Sequence, residues 1–294
     1  MSSRYRPRRS IVFMPATNAR AIEKARGLDC DGVILDLEDA VPPERKDEAR
    51  EAARVAVEAG GWGHREVVIR VNPPESEWGE ADIKAVAAAA PDGMLLPKIT
   101  SPEALIDAEG RLAADSGPAA QKTALWTMME TPQAILGAER IAAATERLAA
   151  MVMGTEDLAK ALHASSPAQG RMPFLTSLSL VLLAARAHGL AALDGVFTRL
   201  EDDEGFAREC ADGAAMGFDG KTLLHPRQLD AANAAFRPDA AAVARAQRLR
   251  EAWRAAQAQG AAIAKLDGEM IERLHVEDAE RLLAIAAAIE ARET

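Results

Sequence analysis

The chain has 294 residues, of which 49% are hydrophobic and 27% are charged, a composition typical of a globular protein with a large core. Its net charge of −10 argues against nucleic acid and anionic membranes as partners, because an acidic surface repels phosphate groups. The length permits two domains but is equally typical of a single α/β barrel.

The cysteines and the first residues bear on the cellular compartment. Cys30 and Cys210 are isolated, which suits the reducing cytoplasm and provides neither a disulfide framework nor zinc-ligand spacing. The basic opening SSRYRPRR, residues 2–9, precedes an apolar run that is far too short for a secretory signal. We therefore expect a cytoplasmic protein without a membrane span, whose N-terminal arginines form a solvent-exposed arm.

Eight short apolar runs alternate with alanine-rich stretches of helical periodicity. The runs predict strands at 11–14, 33–37, 67–71, 94–96, 124–129, 151–153, 193–197 and 218–224. The stretches between them predict helices at 19–28, 43–59, 80–90, 102–114, 133–148, 176–188 and 204–216. This alternation predicts a parallel sheet, and eight strands favour a closed (β/α)₈ barrel.

A doubly wound open sheet is the alternative fold. No glycine-rich dinucleotide motif follows the first strand, where the sequence is MPATN, so a Rossmann fold is disfavoured while an open sheet is not excluded. After Phe236 the strands are predicted to stop, and two helices, 238–259 and 276–290, follow. We therefore expect a barrel at 1–235 and a C-terminal helical extension at 236–294, which packs on the barrel wall or covers a mouth, its own or a partner's.

Two carboxylates are predicted to follow neighbouring strands. In LWTMMETP, Glu130 ends an apolar run, and Thr131 and Pro132 have the character of a helix N-cap and first-turn proline. In AAMVMGTEDL, the acids Glu156 and Asp157 follow a second run. If the two strands are adjacent and parallel, Glu130 and Asp157 can hold a hard divalent cation such as Mg²⁺. The alternative is two ordinary acids, one beside a helix cap and one in a solvated loop.

Further polar residues end the other predicted strands, as expected at the mouth of a barrel. They are Asp36, Glu38, Asp39, Arg70, Asn72, Lys98, Lys221 and His225. Arg70 lies in an apolar strand and needs an anionic partner, either Asp36 or Glu38 in a structural ion pair or an oxygen of a substrate. Asp36, Glu38 and Asp39 are candidates to orient Arg70 or metal-bound water. His225 is predicted as hydrogen-bonded scaffold rather than as a base.

No HExxH, GxSxG or P-loop motif is present, so zinc protease, serine hydrolase and nucleotide triphosphatase functions lack support. The chain instead resembles the citrate lyase β-subunit-like family of aldolase-type barrels, which includes citramalyl-CoA and malyl-CoA lyases. The matching stretches, in family order, are RSIVFMPATNARAIEKA, DGVILDLEDAVPPERKDEAR, VVIRVNPP, MLLPKI, METPQAI, MVMGTEDL, LDGVFTRLEDDEGF and GFDGKTLLHPRQL.

The resemblance implies a (β/α)₈ barrel that binds Mg²⁺ through Glu130 and Asp157, with Arg70 contacting a 2-keto acid or thioester oxygen. It further implies a homo-oligomer, a homotrimer or a hexamer. The chain departs from the family in its first loop, PATNAR instead of PGSNPR, where CoA phosphates are contacted. It also departs in the C-terminal lid, where the family's DGKMIDRPH-like stretch reaches a neighbouring subunit. Here DGEMIERLH places Glu272 at the aspartate position and Leu274 at the proline position.

The implied reaction is the Mg²⁺-dependent cleavage of a β-hydroxyacyl-CoA, such as citramalyl-CoA, malyl-CoA or a citryl thioester, into an acyl thioester and a 2-keto acid. Arg70 would neutralise the enolate oxygen and Glu272 would transfer a proton at the thioester's terminal carbon. The alternatives are a malyl-CoA-type thioesterase, a β subunit acting on carrier-linked citrate, and a non-catalytic barrel that binds a CoA ester or keto acid. No motif identifies the acyl group, because one methyl group changes binding by only about 1–3 kcal/mol.

Overall fold

The structure is a computed structural model that describes residues 6–114, 117 and 120–293. Eight parallel strands form a closed barrel in which each strand pairs with the next and β8 pairs with β1. The strands are β1 (Ser10–Pro15), β2 (Gly32–Asp36), β3 (Glu66–Arg70), β4 (Gly93–Leu96), β5 (Ala124–Met129), β6 (Leu148–Met153), β7 (Ala191–Asp194) and β8 (Gly220–Leu223). The predicted (β/α)₈ barrel is confirmed.

Helices connect successive strands on the outside of the barrel, and one more helix follows β8. They are α1 (Ala19–Ala25), α2 (Lys46–Glu58), α3 (Gly79–Ala89), α4 (Pro102–Ala114), α5 (Pro132–Leu136), α6 (Ala138–Ala142), α7 (Thr155–Leu162), α8 (Leu175–Ala187), α9 (Asp203–Met216) and α10 (Leu229–Ala235). Within the described residues, no helix is long and apolar enough to cross a membrane.

Side chains of the strands alternate between the barrel interior and the layer of helices. The interior cluster includes Ile34, Val68, Leu95 and Trp126, which are all inaccessible to solvent. The outward-facing side chains pack against the helices in a larger cluster. Because both faces of each strand are buried, the strands appear in the sequence as nearly continuous apolar runs.

The expected solvent-exposed arginine arm is wrong for the residues that the structure describes. Arg8 forms two hydrogen bonds with Glu66, at 2.7 and 2.9 Å, and stacks over the ring of Trp126. Arg9 pairs with the fully buried Asp31 at 2.9 Å. Both arginines directly precede β1, and their partners lie at the starts of neighbouring strands, so the charges neutralise one another at the base of the barrel. The rest of the predicted arm, residues 2–5, lies outside the described residues.

The predicted helix 133–148 is confirmed at 133–136 and 138–142, but its continuity and its C-terminal end are wrong. Gly137 separates two short helices, α5 and α6, and Leu148 already begins β6. An alanine-rich sequence does not mark where a helix ends and a strand begins, since alanine occurs in both. The helix α7, which begins at Thr155, was not predicted as a helix.

The described residues divide into two compact units, Arg8–Phe236 and a second that comprises 6–7 and 237–293. The second unit contains the helices α11 (Ala240–Ala258) and α12 (Arg273–Glu293). Between them, β9 (Ala264–Leu266) and β10 (Glu269–Ile271) form an antiparallel hairpin. The expectation that strands stop after Phe236 is therefore wrong. The turn between these strands is formed by Asp267 and Gly268, which both have positive φ. An Asp-Gly pair is a strong sequence signal for a hairpin.

Candidate active site

Glu130 lies between the end of β5 and the start of α5. Thr131 caps α5, its hydroxyl accepting a hydrogen bond from the Ala134 N–H at 3.0 Å, and Pro132 is the first helical residue, as predicted. Glu130 is 1% exposed, and its Oε2 has no hydrogen-bond partner among the described residues. Burial raises the pKa of Glu130 above its ordinary value. A buried carboxylate oxygen without a donor is suited to receive a cation.

Asp157 lies in the first turn of α7, directly after β6. The chain leaves β6 through Gly154, whose N–H bonds to the carbonyl of Met129 at the end of β5. A Cβ atom on Gly154 would lie 2.5 Å from Oε2 of Glu130, so glycine is required for the close approach of this carboxylate. The adjacent strands β5 and β6 thus bring Glu130 and Asp157 to one edge of the barrel.

Lys98 connects these two carboxylates. Its Nζ lies 2.6 Å from Oδ2 of Asp157, 3.6 Å from Oε1 of Glu130 and 3.9 Å from Oε1 of Glu38. Burial opposes the charge of this ammonium group, but Glu130 and Asp157 outweigh that effect and raise the pKa of Lys98. The sequence showed Lys98 only as one polar strand end among several, and it was not predicted as a site residue.

Arg70, the last residue of β3, forms a two-pronged ion pair with Asp36, the last residue of β2. Nε bonds to Oδ1 at 2.6 Å and Nη2 to Oδ2 at 2.7 Å. The guanidinium also lies 4.8 Å from the centre of the Phe13 ring. Burial opposes its charge, but the hydrogen bonds to Asp36 outweigh that effect and raise the pKa of Arg70. The ion pair expected as the structural role of Arg70 is present, and it fixes the guanidinium at the edge of the cavity.

Glu38 is a buried acid beside this pair. Nη1 of Arg70 lies 2.9 Å from Oε2 of Glu38, yet that oxygen accepts no hydrogen bond of acceptable geometry among the described residues. The contact is thus a charge interaction with a poorly aligned N–H. Burial raises the pKa of Glu38 from 4.5 to about 8, and the attraction of Arg70 only partly offsets it. Asp39, which is exposed, lies farther from the guanidinium, at 3.5 Å.

A cavity of about 450 Å³ opens at the carboxyl ends of the strands. Five of the predicted site residues line it, namely Asp36, Asp39, Arg70, Glu130 and Asp157. Its remaining wall is largely apolar and includes Phe13, Met14, Met128, Met153, Val196 and Leu224. The cavity therefore combines charged groups on one side with a surface for a small hydrocarbon group on the other.

Three further residues singled out in the sequence do not line the cavity. Lys221 points away from the cavity and is fully buried between Asp194 and Glu209, at 3.1 and 2.7 Å. Its expected place at the mouth is wrong, because it faces the helix layer while the next residue of β8 lines the cavity. His225 caps a short 3₁₀ turn through Nδ1, which agrees with its expected scaffold role. Glu272 lies in the C-terminal unit, directly after β10.

The carboxylates at the cavity fit a magnesium ion. Among the described residues, no three acids, histidines or cysteines are grouped to hold a metal. Mg²⁺ does not require such a group, because it commonly uses one or two carboxylates together with water and substrate oxygens. Glu130 and Asp157 are such carboxylates, and the buried Oε2 of Glu130 is an oxygen that still needs a partner.

A closed parallel barrel with a charged cavity at the carboxyl ends of its strands is characteristic of an α/β-barrel enzyme. Residues 9–226 match the model of one such family, described as HpcH/HpaI aldolase/citrate lyase. The chain belongs to the HpcH/HpaI aldolase/citrate lyase family.

Similar proteins span nearly the whole chain. A (3S)-malyl-CoA thioesterase from Cereibacter sphaeroides is 45% identical over 291 residues, covering 99% of each chain. A citrate lyase subunit beta from Haemophilus influenzae is 34% identical over 279 residues, covering 94% of this chain and 96% of its own. The structure of CitE from Mycobacterium tuberculosis in complex with magnesium, acetoacetate and coenzyme A has a TM-score of 0.76 and 31% identity, covering 96% and 98%.

Proposed function

We propose that this protein is a thioesterase that hydrolyses a malyl-CoA-type thioester, with Mg²⁺ bound by Glu130 and Asp157. The observation that carries this proposal is the 45% identity, over 99% of both chains, to (3S)-malyl-CoA thioesterases. In the reaction, water adds to the thioester carbonyl and the carbon–sulfur bond breaks, giving the free hydroxy acid and CoA with a thiol. The lyase implied by the sequence resemblance becomes the second candidate.

The metal site of the proposal uses groups that the structure brings together. Glu130 would contribute Oε2, which has no hydrogen-bond partner among the described residues, and Asp157 would contribute its carboxylate from the first turn of α7. A bound Mg²⁺ would polarise substrate oxygens as a Lewis acid. The magnesium in the Mycobacterium tuberculosis structure supports the choice of Mg²⁺ as the cation.

Arg70 is proposed to stabilise negative charge on the thioester oxygen. Asp36 holds its guanidinium by two hydrogen bonds, so the group does not have to reorganise when charge develops. Removal of one such preorganised donor typically costs about 3–4 kcal/mol of transition-state stabilisation. The buried Glu38 and the exposed Asp39 lie 2.9 and 3.5 Å from the same guanidinium and help to orient it.

The apolar wall is proposed to hold the carbon skeleton of the acyl group. Met128 and Met153 come from β5 and β6, the strands that also position Glu130 and Asp157. A hydroxyacyl chain lying against this wall would present its oxygens to the charged side of the cavity. Such a position would leave the thioester carbonyl within the reach of Arg70 on β3.

The second candidate is carbon–carbon cleavage of the same type of substrate into an acyl thioester and a 2-keto acid. The 34% identity to a citrate lyase subunit beta favours it. Cleavage requires a group that protonates the thioester enolate, and Glu272 is the proposed donor. The family that the sequence resembles has an aspartate at this position, and glutamate is one methylene group longer. The longer side chain disfavours cleavage, because a misplacement of a catalytic group by about 1 Å can lower the rate 10²-fold.

We further propose that the C-terminal unit serves as a lid and that the protein is a homo-oligomer, with a homotrimer as the first form to test. Glu272 directly follows the hairpin of β9 and β10. Two residues near Glu272, Met270 before it and Leu274 after it, are 57% and 60% exposed. Exposed apolar side chains beside a carboxylate are suited to contact a second surface.

The decisive experiment separates the two reactions by their products. The purified protein is incubated with Mg²⁺ and with (3S)-malyl-CoA, citramalyl-CoA or citryl-CoA, and the products are identified by mass spectrometry while free thiol is titrated. Hydrolysis releases one thiol for each thioester consumed and leaves the hydroxy acid intact. Cleavage releases a keto acid and a new thioester but no thiol. Cleavage products without thiol release would replace the thioesterase proposal with the lyase.

A further inference from the structure

Lys98 has a backbone conformation that is uncommon for a residue with a side chain. It follows β4 after a single proline, and its φ is +53°, in the left-handed region that glycine usually occupies. Such a conformation persists where surrounding contacts maintain it, and it often occurs at functional sites. The closest contacts of Lys98 are with the two carboxylates assigned to the metal.

Each of these carboxylates is held by a different part of Lys98. The backbone N–H donates to Oε1 of Glu130 at 2.7 Å. The ammonium group lies 2.6 Å from Oδ2 of Asp157. One residue that follows β4 thus engages one oxygen of a carboxylate that follows β5 and one oxygen of a carboxylate that follows β6.

The hydrogen bond from Lys98 engages only one of the two oxygens of Glu130 and leaves the other without a partner among the described residues. This second oxygen is Oε2, which is buried. It lies beside Gly154, where even a Cβ atom would be only 2.5 Å away. Oε2 therefore occupies a confined position, and the hydrogen bond to Oε1 determines the rotation of the carboxylate that brings it there.

We propose that Lys98 is a positioning residue for the divalent cation: its N–H and its ammonium group orient Glu130 and Asp157 so that their remaining oxygens converge on one ion. This inference rests on the metal site of the proposed function. Residues that hydrogen-bond to metal ligands fix ligand orientation, and their substitution typically weakens metal affinity by about 10- to 100-fold.

A competing role for Lys98 predicts the opposite effect. If the ammonium only occupied the place of the metal, its removal would strengthen Mg²⁺ binding by eliminating a competing positive charge. Two observations favour orientation. The backbone N–H to Glu130 carries no net charge and cannot replace a cation. The ammonium is placed unevenly, 2.6 Å from Asp157 but 3.6 Å from Glu130 and 3.9 Å from Glu38, whereas Mg²⁺ lies about 2.0–2.1 Å from each oxygen that it binds.

The experiment measures Mg²⁺ affinity by titration calorimetry on the intact protein. Lys98→Met removes the ammonium and retains the side-chain length. Lys98→Gly also removes it but suits the left-handed backbone and keeps the N–H, so it remains interpretable if Lys98→Met folds poorly. Lys84→Met is the control, since Lys84 pairs with Glu80 on the exposed face of α3 and its substitution makes the same change in net charge. We expect a 10- to 100-fold weaker affinity for Lys98→Met and Lys98→Gly and unchanged affinity for Lys84→Met.

A second measurement separates orientation from charge. Mg²⁺ demands nearly ideal octahedral geometry, whereas Ca²⁺ accepts irregular coordination. If Lys98 orients the ligands, both Lys98 variants should lose more affinity for Mg²⁺ than for Ca²⁺. A charge effect would change both affinities by the same factor and in the direction of tighter binding.

The possible failures are distinguishable. If Lys98→Met and Lys98→Gly bind Mg²⁺ as tightly as the wild type or more tightly, the role of Lys98 is overturned while the metal site stands. If the wild-type protein itself does not bind Mg²⁺, or binds it equally well after Glu130→Gln, the metal site and the role of Lys98 are both overturned. The thiol-release assay reports on the thioesterase activity independently of either result.

Discussion

Arg70 and Asp36 form a bidentate ion pair across the ends of adjacent strands, with N···O distances of 2.6 and 2.7 Å. The planar fork of arginine matches both oxygens of one carboxylate, and lysine cannot reproduce this geometry. The pair therefore fixes the orientation of the guanidinium of Arg70, a residue that lines the cavity.

The first prediction is that Arg70→Lys retains the charge but lowers kcat/KM by at least about tenfold, with the fold intact by circular dichroism. Arg54→Lys is the matched control, because Arg54 also pairs with two carboxylates but on the exposed surface of α2. Its activity should equal that of the wild type. A folded Arg70→Lys protein with wild-type rates would leave Arg70 with a structural role alone.

The second prediction is that Glu130→Gln and Asp157→Asn each abolish tight Mg²⁺ binding, since hard cations prefer charged oxygen ligands. Titration calorimetry gives the affinity directly. Asp107→Asn, which removes an exposed charge paired with Arg111 on α4, serves as the control and should bind as the wild type does. Unchanged affinity in both site variants would mean that the cation binds elsewhere.

The third prediction concerns the space beside Glu130. Gly154→Ala should weaken Mg²⁺ binding about tenfold or more, because the new methyl group would lie 2.5 Å from Oε2 and displace the carboxylate. Gly110→Ala is the control within α4, where a Cβ atom meets nothing within 4 Å. This control should gain up to about 1 kcal/mol of stability from helix propensity and keep its metal affinity. Wild-type affinity in Gly154→Ala would show that the site accommodates the methyl group.

The fourth prediction concerns pH. The pKa of Glu38 is raised to about 8 in the folded protein, so the folded state holds this proton more tightly than the unfolded state does. The resulting stabilisation is complete below the unfolded pKa and is lost as the pH rises toward 8. Between about pH 5 and pH 8, the free energy of unfolding should therefore fall less in Glu38→Gln than in the wild type. Denaturant titrations across this range in metal-free buffer provide the measurement.

Glu44→Gln is the control for this pH dependence, since Glu44 is an exposed acid a few residues farther along the chain. Its pH profile should follow that of the wild type. Parallel profiles for the wild type and Glu38→Gln would show that Glu38 ionises normally in the folded protein.

The fifth prediction tests whether the lid acts on a neighbouring subunit. For the cleavage reaction, in which Glu272 is the proposed proton donor, inactive Glu272→Ala subunits mixed with inactive Arg70→Ala subunits should recover part of the activity, because some sites then combine an intact barrel with an intact lid. A lid acting within its own chain cannot give this result, since every site carries one defect. Subunit exchange is verified separately with labelled chains. Absence of recovery after verified exchange would exclude a lid that acts on its neighbour, and full activity of Glu272→Ala alone would remove Glu272 from the reaction.

The fold was largely predictable because the strands are buried on both faces. The predicted strand 124–129 and helix 102–114 agree with β5 and α4 to the residue. The boundary near Leu148 was not predictable from periodicity, because the alanine-rich pattern that favours a helix continues into the start of β6. The placement of Lys221 was predictable in principle, since alternation along β8 gives it the opposite face from the next residue.

The site could be predicted only where local sequence determines it. Thr131 and Pro132 mark the start of α5, so the position of Glu130 followed from the chain itself. The contacts of Lys98 depend on a left-handed backbone and on a carboxylate 32 residues away, and neither leaves a local pattern. The ion pair of Arg8 likewise leaves no local pattern in the sequence, because its partner Glu66 is 58 residues away.

The pairing of β8 with β1 has a consequence for the synthesis of the protein on the ribosome. Until β8 has been synthesised, one edge of β1 has no strand to pair with. The hydrogen bond between Ser10, the first residue of β1, and Asn233 also cannot form, because Asn233 lies 223 residues farther along the chain. Contacts this distant slow folding, and exposed strand edges favour aggregation while they last. Slower elongation or a lower growth temperature during expression should therefore raise the yield of soluble protein more effectively than a stronger promoter.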